Sequence, residues 1–215
     1  MSKYFSPARI AKRNFLKTGI AAAAGLAVGN AVIRPRRLDA CPAGSLYSGQ
    51  VSQSSDDASQ SSNGLVFLTT TLINLSAGGG WRGFRWQNVN IAQGATITSA
   101  TFSPYFKYSN NSGVATIYGE ADNNAGTFTT AKGSVGGRSK TSHSVSWDTT
   151  PVTGTGFQGS PDLTAIIQEI INRPGWQSGN ALALLVSAGS PFVLDYSDIY
   201  TYDASYLDGA WLNIS

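Results

Sequence analysis

The side chains that could do chemistry are few, and their spacing narrows what they could do. One histidine, His143, sits in the alternating run Lys140-Thr141-Ser142-His143-Ser144-Val145-Ser146-Trp147. It is the one imidazole available to a Ser-His-Asp relay, but no G-x-S-x-G elbow accompanies it. We therefore expect a strand residue and not a catalytic base. Paired carboxylates could serve glycoside hydrolysis. The close pairs are Asp56/Asp57, Glu120/Asp122 and Asp195/Asp198. All lie in segments rich in Ser, Asn, Gly or Tyr, where Asp favours turn capping over catalysis. The same acids could offer oxygens to a structural calcium ion, with Asp56, Asp57, Glu120 and Asp122 as donors, although no EF-hand spacing is present. No other cofactor is expected. The densest ligand-like feature is Asp195-Tyr196-Ser197-Asp198-Ile199-Tyr200-Thr201-Tyr202-Asp203-Ala204-Ser205-Tyr206. Tyrosine has a flat apolar face and a polar tip, suited to stacking on sugar rings, and interleaved acids accept hydrogen bonds from hydroxyls. Tyr196, Tyr200, Tyr202, Tyr206, Asp198 and Asp203 are thus the candidate ligand contacts, borne on a loop. The competing expectation is that these tyrosines pack back onto the fold.

Composition limits the partners. The chain of 215 residues is 41% hydrophobic and only 13% charged, with a formal charge of +3. Residues 1–40 carry eight Lys/Arg against one acid, and residues 41–215 carry seven against eleven. A basic head thus precedes a mildly acidic body. Scattered cations on an acidic body suit nucleic acid poorly, because phosphate binding needs clustered Lys/Arg. One cysteine, Cys41, excludes an intrachain disulfide framework and a Cys-based zinc site. No apolar run reaches the ~18–20 residues that a membrane-spanning helix needs.

The head, residues 1–44, reads as an export signal or a retained anchoring arm. Lys12-Arg13-Asn14-Phe15-Leu16-Lys17 precedes a Gly/Ala-rich apolar stretch, and Arg34, Arg36 and Arg37 follow it. That is the layout of a secretory signal. Lys12, Arg13, Phe15, Leu16 and Lys17 resemble the twin-arginine export motif, with Lys12 in the place of the first arginine. The alternative is an arm whose cations dock on an acidic partner protein.

The body, residues 45–215, is expected to be one domain. Gly, Asn, Ser and Pro punctuate it every 8–12 residues, with β-rich runs between. That spacing predicts an all-β, antiparallel β-sandwich of jelly-roll type. One amphipathic helix is expected near 161–172. Ser160-Pro161-Asp162 reads as its cap, and Leu163, Ile166, Ile167, Ile170 and Ile171 form an apolar stripe. The five tryptophans are expected in core or rim packing.

Gly83-Phe84-Arg85-Trp86-Gln87-Asn88-Val89-Asn90-Ile91-Ala92-Gln93-Gly94-Ala95-Thr96-Ile97-Thr98-Ser99-Ala100 resembles a strand–turn–strand signature. It belongs to extracellular β-sandwich modules of the DNRLRE type, related to carbohydrate-binding modules, with uncharacterised relatives in bacteria and phages. Ala92 replaces the usual proline, and the polar motif that names the family is absent; Ser54-Ser55-Asp56-Asp57-Ala58 stands near its place. The helix and the Gly175–Leu184 segment resemble later parts of the same pattern. The resemblance implies the sandwich fold and an extracellular or cell-surface module. The expected function is therefore a non-catalytic structural or binding module, glycan-binding or adhesive, and not an enzyme. The alternative is a virion protein of a phage (capsid decoration, collar or fibre subunit) at the virion surface, anchored through the basic arm. Partners would be a surface glycan or an assembly protein, with oligomerisation open.

Overall fold

The computed structural model describes residues 44–75, 78–109, 113–149, 151–152, 154–189, 197–205 and 207–215, apart from the side chains of Tyr108 and Ser109. The head residues Lys12, Arg13, Phe15, Leu16, Lys17, Arg34, Arg36 and Arg37 lie outside the described residues, as do Tyr196 and Tyr206.

The body is an all-β, antiparallel sandwich with one helix. In chain order, β1 (Tyr47–Gln50) leads through a short 3-10 turn at Ser54–Asp56 into β2 (Asp57–Gln60), β3 (Val66–Phe67), β4 (Leu72–Asn74) and β5 (Trp81–Trp86). Then come β6 (Ala100–Ser103), β7 (Tyr105–Ser109), β8 (Val114–Glu120), β9 (Lys140–Asp148) and β10 (Gly156–Phe157). Helix α1 (Thr164–Ile171) precedes β11 (Leu182–Ala188), β12 (Ser197–Tyr200) and β13 (Trp211–Ile214). Among the described residues three sheets form, with orders β3-β2-β5-β11-β8-β9, β1-β13-β6 and β10-β7-β12-β4.

Proline divides one layer. The run from Thr96 to Tyr108 reads as continuous β pattern, but Pro104 has no N–H to give a ladder. The chain therefore changes partners there. β6 pairs with β13, whereas β7 pairs with β10 and β12.

Aromatic rings join this layer to the six-stranded sheet. Phe102 lies 4.8 Å from Phe84, 5.9 Å from Trp86 and 6.0 Å from Trp147, and Phe106 lies 5.9 Å from Trp147. Tilted and edge-on pairs at such distances contribute about 0.5–1.5 kcal/mol each beyond area burial. Trp86, Trp147 and Trp176 are buried in this core, as expected, while Trp81 and Trp211 are half-buried.

The six-stranded sheet is covered on its other face too. Along β11, Leu182, Leu184 and Val186 belong to the main core, while Ala183 and Leu185 join Phe128 and Val135 in a second cluster. Phe128 and Val135 come from the long segment between β8 and β9. That double burial explains why β11 reads as an unbroken apolar run instead of alternating. Arg138 clamps the covering segment, with Nη1 on Glu120 at 2.7 Å and on the carbonyl of Gly126, Nη2 on that of Thr127 and Nε on that of Ser134.

Helix α1 lies against β8, β9 and β6 with its isoleucine stripe fully buried. The expected cap is corrected in detail. Ser160 does not cap the helix, because its hydroxyl donates to the carbonyl of Pro161 and accepts from Phe102 N–H. Asp162 instead takes hydrogen bonds from the N–H and hydroxyl of Thr164 and from Ala100 N–H. It ties the helix start to β6, and those bonds hold its carboxyl below the usual range against slight burial.

Candidate functional site

β12 contradicts the loop expected for the Tyr/Asp segment. Ser197–Tyr200 is a strand between β7 and β4. Its alternation decides where each side chain goes. Ser197 and Ile199 are buried; Asp198 and Tyr200 point away from the core. The same parity holds across the sheet, where Phe106 and Ile73 face inward and Tyr105 and Leu72 outward. Tyr200 is paired with Leu72, and Phe157 with Tyr105.

The result is a row of outward side chains, Phe157–Tyr105–Tyr200–Leu72, crossing all four strands. Tyr105 is the centre, 4.9 Å from Phe157 and 5.8 Å from Tyr200 between ring centroids. Phe157 is 42% exposed, and both tyrosines are half-buried. The ring planes are inclined by 83° and 42°. The row is therefore an uneven ridge, not a flat plate. A second row beside it holds Asp198 opposite Asn74. A register shift in β7 next to Asp198 marks a bulge there.

The other tyrosine-segment candidates do different work. Tyr202 packs against the main core, and its N–H donates to Asp57 Oδ2 at 2.7 Å. Asp203 accepts from Ser54 Oγ at 2.7 Å. Neither belongs to the row. Tyr105 and Phe157 were not singled out by sequence. The signal that could have found them is the outward parity of Tyr105 beside the inward Phe102 and Phe106.

The four candidate calcium donors do not converge. Asp56 bonds Arg85 Nη1 at 2.6 Å and Gln87 Nε2 at 2.7 Å. Asp57, the first residue of β2 and not a turn residue, is 2% exposed. Its Oδ1 and Asp203 Oδ2 are buried without a hydrogen-bond partner. Burial, opposed by Tyr202 N–H and reinforced by the charges of Asp203 and Asp56, pushes Asp57 up to about 7. Glu120 is raised by burial, against the pull of Arg138. Asp122 takes the N–H of Asn124 in a local turn. Among the described residues no group of three or more His, Cys, Asp or Glu could hold a metal ion.

His143 is an exposed residue of β9, as expected, but it has a partner the sequence did not suggest. Its Nδ1 lies 2.8 Å from Glu169 Oε2, from α1. Glu169 also accepts from Ser142 N–H, Ser142 Oγ and His143 N–H. Burial pushes the Glu169 carboxyl up, but these bonds outweigh it and hold it at about 2. An ionised acceptor at Nδ1 fixes the proton there and leaves Nε2 free. The pair borders an open groove of about 460 Å³ lined also by Ala165, Gln168, Asn172 and Arg173.

No family model, curated protein or solved structure matches this chain. Among the described residues no helix is long and apolar enough to cross a membrane.

Proposed function

We propose that this protein is a non-catalytic binding module, displayed outside the cell, that takes a glycan on the aromatic row of the β10-β7-β12-β4 sheet. The observation that carries this reading is the outward alignment of Phe157, Tyr105 and Tyr200 on three adjacent strands. Neighbouring strands lie about 4.8 Å apart, so the rings repeat along a line that successive sugar rings can follow. Asp198 and Asn74 lie opposite each other in the next row. The inclined ring planes favour a single twisted chain over a flat crystalline face. The non-catalytic part rests on the acids: Asp56 and Glu120 are ion-paired with arginines, and Asp57 is interior.

Affinity electrophoresis through gels containing a panel of neutral and acidic polysaccharides tests this. The protein should be retarded by at least one. Tyr105→Ala and Tyr200→Ala should each weaken that retardation about tenfold, the ~1.4 kcal/mol of one lost ring contact. Tyr202→Ala should lower thermal stability and leave retardation of the folded protein unchanged. Retardation that survives the Tyr105/Tyr200 double substitution would remove the row from the reading. Hydrolysis of a retarding polysaccharide that vanishes on replacing one carboxylate would overturn the non-catalytic part.

A further inference from the structure

The groove between β9 and α1 has an asymmetry that appears once the chain's own hydrogen bonds are assigned. Both oxygens of Glu169 are occupied by four donors from Ser142 and His143. Gln168 is wholly engaged: Oε1 accepts from Ile97 N–H, and Nε2 donates to Ala95 O and to Asn172 Oδ1. Asn172 therefore has its acceptor occupied and its amide Nδ2 left over. Arg173 uses Nε on Asn123 Oδ1 at 3.0 Å, which fixes the guanidinium plane and leaves both terminal nitrogens. The last carbonyls of α1 do not fill the groove with acceptors either. Those of Gln168, Ile170 and Ile171 take N–H groups from Asn172, Arg173 and Gly94. Among the described residues, the side-chain acceptors of the groove are thus taken by the fold, apart from the His143 Nε2 lone pair. The other groups with capacity left are a primary amide and a guanidinium, and both are donors.

A remainder dominated by donors selects its ligand. We propose that this groove is a second binding site, taking an oxyanion carried on a ligand, a carboxylate or a sulfate, between the Arg173 guanidinium and the Asn172 amide. Guanidinium matches either group with two parallel N–H···O bonds, and charge assistance makes these about twice as strong as neutral ones. His143, held at Nδ1 by Glu169 at 2.8 Å, borders the same groove. The charged groups sharing the groove with it are Glu169 and Arg173. Glu169 stays ionised, since its carboxyl sits at about 2. The site uses none of the aromatic-row residues, so either proposal can fail while the other stands.

The test is a titration of the full chain followed by NMR. Sodium acetate and sodium sulfate are the probes, against sodium chloride at matched ionic strength. The Arg173 Nε–H and His143 ring resonances should shift and saturate with acetate, sulfate or both, and not with chloride; which probe saturates identifies the ligand group. Asn172→Asp is the discriminating variant. It keeps an oxygen for Gln168 Nε2 but replaces the free amide with negative charge, and should abolish saturation. Arg173→Gln should weaken binding at least tenfold. Shifts that stay linear in concentration, that chloride reproduces, or that persist in folded Asn172→Asp overturn the proposal.

Discussion

Asp57 carries the sharpest consequence of a single residue's environment. Its folded value of about 7 lies above the ordinary 3.8. Between those two pH values the folded chain keeps a proton that the unfolded chain has lost. Its contribution to stability is therefore fully present below about pH 4 and is lost as pH rises to 7, by up to ~4 kcal/mol if no other group compensates. Asp57→Asn keeps an acceptor for Tyr202 N–H and removes the titration. Denaturant midpoints between pH 4 and 7.5 should fall for the native protein more than for the variant. Glu169 runs the other way, since its lowered value stabilises above about pH 4.5 and that gain is lost toward pH 2. At this scale the sequence was half legible. Tyr200 and Asp198 stood out by type, but Tyr105 and Phe157 come from distant segments, and only strand pairing puts them in line with Tyr200. His143 was visible and Glu169 was not, because the pairing depends on how α1 crosses β9.

At the scale of elements, the fit of α1 onto β8 depends on a missing side chain. A Cβ at Gly119 would come within 2.6 Å of Ile170 Cδ1 and 2.9 Å of Ile166 Cγ2. Gly119→Ala should therefore cost about 1–3 kcal/mol by overpacking, read as a lower melting temperature. Ile167→Ala, a cavity under the same helix, should cost about 2–5 kcal/mol. The helix itself was legible because five apolar residues at helical spacing leave little choice. Two strands were not. β2 reads Asp-Ala-Ser-Gln, a poor β sequence, yet it lies between β3 and β5, where their ladders supply the order its composition lacks. β12 reads Ser-Asp-Ile-Tyr and resembles a turn by type, but the inward Ile199 and Ser197 give it strand parity. In both, tertiary pairing overrides local propensity.

For the folded body as a whole, the segment over the outer face of the six-stranded sheet sets how much apolar surface meets water. Phe128 is its main anchor, sitting where a Cβ on Gly83 would collide with the ring, and the Arg138 guanidinium lies 4.2 Å from the ring centroid. Phe128→Ala should cost about 3–5 kcal/mol and increase binding of an apolar dye such as ANS, because Ala183 and Leu185 lose their cover. Export of the whole chain is checked by the mature N-terminus. A start near Val32 or Cys41 agrees with display outside the cell, and an intact first residue in the working protein favours the anchored arm.

The antiparallel pairing of β1 with β13 has a mechanical meaning. Tyr47 faces Ile214, and Ser45 Oγ and Leu46 N–H also bond the Ile214 carbonyl. The two ends of the body thus leave from the same end of one strand pair. Tension applied through both ends opens that pair one hydrogen bond at a time, as a zipper, instead of loading all of them together in shear. A body pulled in this way yields at low force. If instead it is held through the end that follows β13 and pulled through a ligand on the aromatic row, the load on β13 is shared by its ladders to β1 and β6. Single-molecule pulling in the two geometries should give clearly different rupture forces, with the end-to-end arrangement the weaker.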